Sequence, residues 1–354
     1  MTGSRTIWLG AAAVALCVAC GDSSGSSGGG GAGGAPGTGG SGTGTGTGTG
    51  NTGGGPSGET YSVTMGPIDV QPGVENTQCV LMRLGNPDTI QVGRIQNNLE
   101  LSHHLIVYTS SETEEVLEPF DCSPFLDTLD PSKGSPLMVS QKAEDTLQLP
   151  SGVGFVLEPN QMLRLELHYI NASTAPQSIT ATSELTTLGE GEFQDEAGFL
   201  FVGNPDISIP PNSSATLGPT FFAVPADYDD VSFFAITGHT HQWGTDVQID
   251  TADSDGAVQD PVYAPADFDW EEPPTVVHDP PFTLPQDGGF SFTCDWENMS
   301  NETVSFGESA NQEMCFFWAY YYPNKGPKVC FHTDQLPGGF DLCCPGDAFC
   351  DQLF

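Results

Sequence analysis

Short runs in which apolar and polar residues alternate make up most of the chain beyond residue 58. Runs rich in Val, Ile, Phe, Tyr and Thr are separated by clusters of Pro, Gly, Asn and Asp. Residues 162–170 show the alternation clearly, in the order Met162, Leu163, Arg164, Leu165, Glu166, Leu167, His168, Tyr169 and Ile170. In a strand, the leucine face would pack between two sheets and His168 would point outward, toward a cleft.

No amphipathic helix of useful length interrupts this pattern. Frequent short strands bounded by turn residues are typical of β-sandwiches. The sequence therefore predicts an all-β protein with two tandem antiparallel β-sandwich domains of jelly-roll-like type. The connector-like residues 188–193 indicate an N-terminal sandwich over 59–192 and a C-terminal sandwich, with a Cys-rich tail, over 193–354.

The N-terminal residues do not follow the strand pattern. Residues 1–20 contain Arg5, an apolar run from Ile7 to Ala19, and then Cys20. This order indicates a lipoprotein signal peptide with Cys20 as the lipidated residue. A soluble signal peptide cut elsewhere is the alternative, because Cys17 stands where Leu is commoner. Residues 21–58 are almost entirely Gly, Ser and Thr, which predicts a disordered linker that acts as a tether.

The charge balance excludes several classes of partner. Eight Lys and Arg stand against 46 Asp and Glu, giving a formal net charge of −38. Such acidity disfavours binding to nucleic acid or to anionic lipid surfaces. A local acidic cluster of Asp250, Asp253 and Asp255 could hold calcium. Equally, Asp255 and Gly256 are suitable residues for a hairpin turn.

Eight cysteines follow the signal region: Cys79, Cys122, Cys294, Cys315, Cys330, Cys343, Cys344 and Cys350. An even number in an exported chain indicates disulfides, although eight cysteines allow 105 pairings. No C-x-x-C motif occurs among these eight. A thiolate zinc site is therefore disfavoured.

Five of the seven histidines and one methionine form an ordered set in strand-like segments: His103, His104, His168, His239, His241 and Met314. Each member taken alone has an ordinary explanation, since a His-x-His word is usually polar alternation and Met commonly fills gaps in a core. Together they provide imidazole nitrogens and one thioether. A thioether is a soft ligand that selects Cu(I), so the set predicts two copper sites of unequal character.

The words around these residues are SHHLIVY, LELHYIN, GHTHQWG and NQEMCFFWAYYYP. In this order they resemble the copper type II, ascorbate-dependent monooxygenases, over roughly residues 60 to 335. The resemblance implies two copper ions per chain, in separate domains that face each other across a solvent-filled cleft. The site of His103, His104 and His168 would take electrons from ascorbate or an equivalent reductant. The site of His239, His241 and Met314 would bind O₂ and carry out the hydroxylation.

The resemblance also implies two disulfides, Cys294 to Cys315 and Cys79 to Cys122, with the last four cysteines pairing among themselves. Peptide-amidating relatives hold a substrate carboxylate with an Arg two residues before His-x-His, and use Asn and Tyr after the methionine. This chain has Thr237, Phe316 and Trp318 at those positions. We therefore expect a small substrate, apolar or aromatic, rather than a glycine-extended peptide.

The resulting hypothesis is a copper-dependent monooxygenase that acts on a small molecule and O₂. We expect a monomer that is lipid-anchored in a bacterial cell envelope, periplasmic or at the cell surface, and that contacts the membrane only through this anchor. Two alternatives stay open: a copper-binding or electron-transfer lipoprotein without hydroxylase activity, and an acidic cell-surface adhesion module.

Overall fold

The computed structural model describes residues 58–102, 104–122, 133–307, 309–336, 339–345 and 350. The predicted signal peptide with Cys20, most of the predicted linker and His103 lie outside these residues. Within them the chain forms strands, with a short 3₁₀ turn at Ala226–Tyr228 and no α-helix. The predicted all-β sandwich architecture is confirmed. Among the described residues, no helix has the length and apolar character needed to span a membrane.

Two sheets build the N-terminal half. Sheet I has the order β1-β10-β3-β8-β11, and β7 also pairs with β3. Sheet II has the order β5-β2-β9-β4-β6. The strands are β1 Thr60–Val70, β2 Glu75–Arg83, β3 Ile90–Glu100, β4 His104–Thr109, β5 Val116–Asp121, β6 Pro136–Ser140, β7 Glu144–Gln148, β8 Val153–Leu157, β9 Met162–Ile170, β10 Gln177–Thr187 and β11 Asp195–Glu196.

Two larger sheets and a short ribbon build the C-terminal half. Sheet III has the order β18-β15-β21-β12-β22-β23, sheet IV has the order β14-β19-β16-β17, and β13 pairs with β20. The strands are β12 Gly198–Gly203, β13 Ser208–Ile209, β14 Ser213–Ala223, β15 Ser232–His239, β16 Gly244–Ala252, β17 Val258–Tyr263, β18 Val276–Phe282, β19 Gly289–Asn298, β20 Val304–Ser305, β21 Phe316–Tyr322, β22 Lys328–Thr333 and β23 Phe340–Cys344.

Strand β9 keeps the predicted period of two, but both of its faces are buried. Leu163, Leu165 and Leu167 are fully buried in the core of the N-terminal half. His168, on the opposite face, is only 8% exposed. The polar face of β9 is therefore covered, where the sequence alone suggested an outward-pointing side chain beside a cleft.

Sheet III is apolar on both faces, which explains how the two halves meet. One face packs on sheet IV, where the Phe317 ring lies 5.1 Å from the Phe290 ring and 5.3 Å from the Phe292 ring. The other face shares a buried cluster with the N-terminal half. There Tyr320 approaches the Phe155 ring at 6.4 Å and accepts a hydrogen bond from the Val139 N–H at 3.3 Å. The two halves therefore have direct apolar contact.

Four disulfides occur among the described residues: Cys79–Cys122, Cys294–Cys315, Cys330–Cys343 and Cys344–Cys350. These include both pairs that the family resemblance implied, and the last four cysteines pair among themselves. The acidic cluster also has a clear role. Asp253 Oδ1 accepts hydrogen bonds from the N–H groups of Asp255 and Ala257, which forms the turn between β16 and β17.

Candidate metal centres

The first candidate centre lies at the start of β4. His104 opens this strand and pairs directly with His168 of β9. Facing side chains on neighbouring antiparallel strands lie close together, and the two ring centroids are 4.6 Å apart. Both histidines are buried, with 9% and 8% exposure. The described residues thus bring together two of the three predicted ligands, while His103 lies outside them.

A carboxylate defines the tautomer of His168. Its Nε2 lies 3.1 Å from Glu75 Oε1. A carboxylate only accepts hydrogen bonds, so Nε2 carries the proton and Nδ1 holds the lone pair of the neutral ring. Metal-ligating histidines commonly donate their second N–H to a carboxylate in this way. The Glu75 contact therefore fits metal binding through Nδ1.

A buried polar group continues from His168 along the same face. Arg164 Nη2 lies 3.6 Å from Glu166 Oε2, and the guanidinium stands 4.1 Å over the Tyr108 ring. The Tyr108 hydroxyl also donates to Glu166 at 3.3 Å. These contacts join β4 to β9 and hold in register the two strands that carry His104 and His168.

The second candidate centre lies at the end of β15. His239 is the last residue of this strand and His241 follows two residues later, with the two ring centroids 5.1 Å apart and nearly perpendicular. The turn after them closes when the Gly244 N–H donates to the His241 carbonyl at 2.9 Å. A Cβ at position 244 would overlap the Thr240 side chain. Glycine is required there for the tight turn that presents both imidazoles.

The tautomer of His241 is also defined. Its Nδ1 lies 3.0 Å from the Gln312 backbone carbonyl, which can only accept a hydrogen bond. The proton is therefore on Nδ1, and the lone pair of the neutral ring is on Nε2. This is the carbonyl-supported arrangement usual for a metal-binding imidazole.

Glu313 links the parts of the second centre, although the sequence pattern predicted no role for it beyond its place in a motif. Its carboxylate is fully buried and accepts four hydrogen bonds. The donors are the backbone N–H groups of His241 at 2.8 Å, Trp243 at 2.7 Å and Met314 at 3.3 Å, and the Trp296 indole N–H at 2.9 Å. Burial raises the pKa of Glu313 to about 7, although the donors oppose this shift. One side chain thus connects the His-x-His turn to the methionine.

Met314 lies at the same end of sheet III as the two histidines. It stands two residues before Phe316, the strand partner of His239. Met314 is 3% exposed and belongs to the apolar cluster shared by the two halves, whereas Cys315 belongs to the core of the C-terminal half. The two neighbouring side chains therefore lie on opposite sides of the chain, as alternation along an extended backbone requires.

Aromatic side chains surround this end of the sheet. The Trp318 ring lies 6.0 Å from the His239 ring and is nearly parallel to Phe201 at 6.4 Å, while Phe316 lies 5.2 Å from Phe201. Phe316 and Trp318 are only 2% and 1% exposed. Thr237 shares a 2.8 Å hydrogen bond with Thr275. Each of the three positions that differ from the peptide-amidating relatives is thus packed or hydrogen-bonded.

A family comparison matches the half that carries the second centre. Residues 195–336 match the family model of the copper type II ascorbate-dependent monooxygenase, C-terminal domain. This match contains His239, His241 and Met314, and it supports a copper-dependent monooxygenase in general. No curated protein matches the chain.

Solved structures give only weak likenesses. Recombinant N-glycanase F (PNGase F) gives a TM-score of 0.33 at 10% identity, covering 75% of this chain and 97% of that chain. PNGase F, a glycosylasparaginase from Flavobacterium meningosepticum, gives 0.30 at 11% identity with the same coverage. A putative secreted protein from Parabacteroides distasonis gives 0.18 at 11% identity, covering 74% and 83%. At these TM-scores we base no argument on them.

The donors at the second centre suit copper. Two imidazoles are acceptable to several transition metals, and a buried thioether favours Cu(I). The His241 tautomer leaves a nitrogen lone pair for a metal. Elsewhere among the described residues, Cys79, Cys122 and Glu166 have ligand atoms within 4.8 Å of one another. The two sulfurs form a disulfide, so they are not thiolate ligands.

Proposed function

We propose that this protein is a copper-dependent monooxygenase that hydroxylates a C–H bond of a small substrate. The single observation that carries the proposal is the pairing of His239 and His241 in a turn whose backbone Glu313 joins by hydrogen bonds to that of Met314, inside the region that matches the monooxygenase domain. Copper, when bound, supplies one-electron redox chemistry and reactivity toward O₂. The chain's own residues supply ligands, their orientation and an apolar environment.

The two sets of ligands have different tasks in this proposal. His103, His104 and His168 would hold a copper that supplies electron transfer from ascorbate or an equivalent external reductant. His239, His241 and Met314 would hold a copper that supplies the O₂ chemistry for hydroxylation of the substrate. Gln312 and Glu313 keep the His241 ring and the backbone of Met314 in place through the hydrogen bonds described above. The tautomer of His168, fixed by Glu75, supports the first set in the same manner.

The proposed substrate is apolar or aromatic. Trp318 lies beside His239, and the residue two before His239 is Thr237, which has no charge to hold a carboxylate. Thr237 is also engaged with Thr275. A glycine-extended peptide, which presents a carboxylate, would lack a cationic partner at this position.

The cellular setting that we propose comes from the sequence. A lipid attached to Cys20 would anchor the protein in a bacterial envelope, and the Gly-rich linker would hold the folded region away from the membrane. The strong negative charge suits a protein that uses small molecules rather than nucleic acid. We propose that it works as a monomer.

Oxygen uptake tests the function. We expect copper-loaded protein with ascorbate to consume O₂ and to release hydroxylated product in a 1:1 ratio for an apolar or aromatic substrate, and to leave glycine-extended peptides unchanged. The measurement pairs an oxygen electrode with mass spectrometry of products formed under ¹⁸O₂. Copper binding without coupled product across a broad substrate panel would favour the electron-transfer alternative. Failure to bind copper would favour the adhesion alternative.

A further inference from the structure

A buried amide of the N-terminal half touches a candidate copper ligand of the C-terminal half. Gln141 Nε2 lies 3.0 Å from His239 Nδ1, and the two residues are 6% and 3% exposed. Gln141 follows Ser140, the last residue of β6, and Ser140 pairs with Leu105 of β4. Gln141 therefore lies just beyond the edge of sheet II at which β4 starts with His104. This position is near both candidate centres.

The contact lies where the family resemblance implies a solvent-filled cleft. At His239 the halves instead meet through a direct side-chain hydrogen bond. The nearby contact of Val139 with the Tyr320 hydroxyl shows that β6 is docked against sheet III over several residues. The position of Gln141 is therefore set by packing on both sides.

An amide can control which nitrogen of an imidazole binds a metal. The amide oxygen accepts from Nδ1–H and leaves the lone pair on Nε2, whereas the amide nitrogen donates to Nδ1 and leaves the proton on Nε2. A 180° rotation of the side-chain amide about its Cγ–Cδ bond exchanges the two states. The rotation changes the packing little, because the amide oxygen and nitrogen are nearly the same size. Gln141 Oε1 is buried and makes no hydrogen bond within the described part of the chain. The exchange therefore breaks no hydrogen bond made by that oxygen.

We propose that Gln141 is a positioning residue that presents its amide oxygen to His239 Nδ1, fixing the ring for metal binding through Nε2. This inference rests on the proposed copper function of His239. The ligand set of the C-terminal half then depends on a residue of the N-terminal half, and docking of the two sandwiches completes the site. The proposed ligand is Cu(I), the ion that the His, His and Met donors favour.

Anaerobic Cu(I) titration against a competing chelator tests this inference. In Gln141→Ala, we expect the affinity of the site that gives the copper–sulfur X-ray absorption feature to fall about 10- to 100-fold, as for other residues that orient metal ligands. The second copper should be retained with wild-type affinity. Gln141→Glu should restore the affinity of the sulfur-containing site, because a carboxylate also accepts from Nδ1–H.

Asn97→Ala is the matched control. Asn97 has a buried side-chain amide in the same half, and this amide donates a hydrogen bond to Ser140 Oγ at 2.7 Å. Ser140 directly precedes Gln141 in the chain. This variant should lower stability and leave both copper affinities unchanged. If Asn97→Ala weakens the sulfur-containing site as much as Gln141→Ala does, general loosening explains the effect and the proposal is wrong.

A measurement without metal separates this inference from the proposed function. Long-range ¹H–¹⁵N NMR of the His239 ring in copper-free protein, above the ordinary His pKa of about 6.5, should find the proton on Nδ1 in wild type. In Gln141→Ala that preference should be lost. A proton on Nε2 in wild type would overturn the positioning role even if copper binds. Absence of copper binding with the proton on Nδ1 would instead contradict the proposed function alone.

Discussion

Replacing Glu313 by Ala is expected to lower the free energy of unfolding by about 3 to 5 kcal/mol. The substitution leaves four donors without their acceptor: the N–H groups of His241, Trp243 and Met314 and the indole of Trp296. Each unsatisfied buried donor costs about 1 to 3 kcal/mol, partly relieved when water enters the cavity. Because the same bonds join the His-x-His turn to Met314, the copper–sulfur contribution should also decrease.

Two further variants make this prediction specific. Glu297→Ala removes an exposed glutamate on β19, and it should change stability by less than about 0.5 kcal/mol. Glu313→Gln keeps one acceptor oxygen in the same volume, so its loss of stability should fall between those of wild type and Glu313→Ala. Urea unfolding with a constant slope provides the measurement. If the free energy of unfolding of Glu313→Ala lies within about 1 kcal/mol of the wild-type value, these hydrogen bonds do not hold the turn.

The second large effect is expected from removing a candidate ligand in either half. His168→Ala and His241→Ala should each reduce coupled product formation more than about 100-fold, since even residues that only orient ligands often cost 10- to 100-fold. His278→Ala is the matched control. His278 lies on edge strand β18, with its Nε2 2.9 Å from the Val262 carbonyl, and it belongs to neither centre.

The copper content of these variants should distinguish the two centres. His168→Ala should lose one copper and keep the copper–sulfur contribution. His241→Ala should lose one copper together with that contribution. An equal loss of coupled product formation in His278→Ala would show that activity responds to any histidine substitution. That result would contradict the assignment of two separate ligand sets.

Local pattern predicted several contacts in the fold. The period of two in β9 separated the leucines from His168, and a His-x-His spacing necessarily puts His239 and His241 on one side of an extended chain. The partnership of His104 with His168 required the pairing of β4 with β9. That pairing joins residues 64 positions apart in the sequence, so the ligand words and the family resemblance suggested it, whereas strand propensity could not.

Residues that act through long-range burial were not predicted. Glutamate is usually exposed, so nothing in the composition marked Glu313 as a fully buried acceptor. The sequence feature that could have marked Glu313 was its position next to the candidate ligand Met314. No sequence signal marked Gln141, because its contact with His239 depends on how the two halves of the chain pack against each other. The same docking buries Phe316 and Trp318, which the sequence suggested only as possible substrate neighbours.

Copper stoichiometry of a protein comprising residues 59–354, with Cu(I) X-ray absorption on wild type and Met314→Ala, tests the central claim most directly. The account predicts two coppers per wild-type chain and one copper–sulfur interaction, which Met314→Ala removes while the nitrogen shell remains. One copper or none in wild type, or a sulfur contribution that survives in Met314→Ala, would contradict the assignment of His239, His241 and Met314 as a copper site.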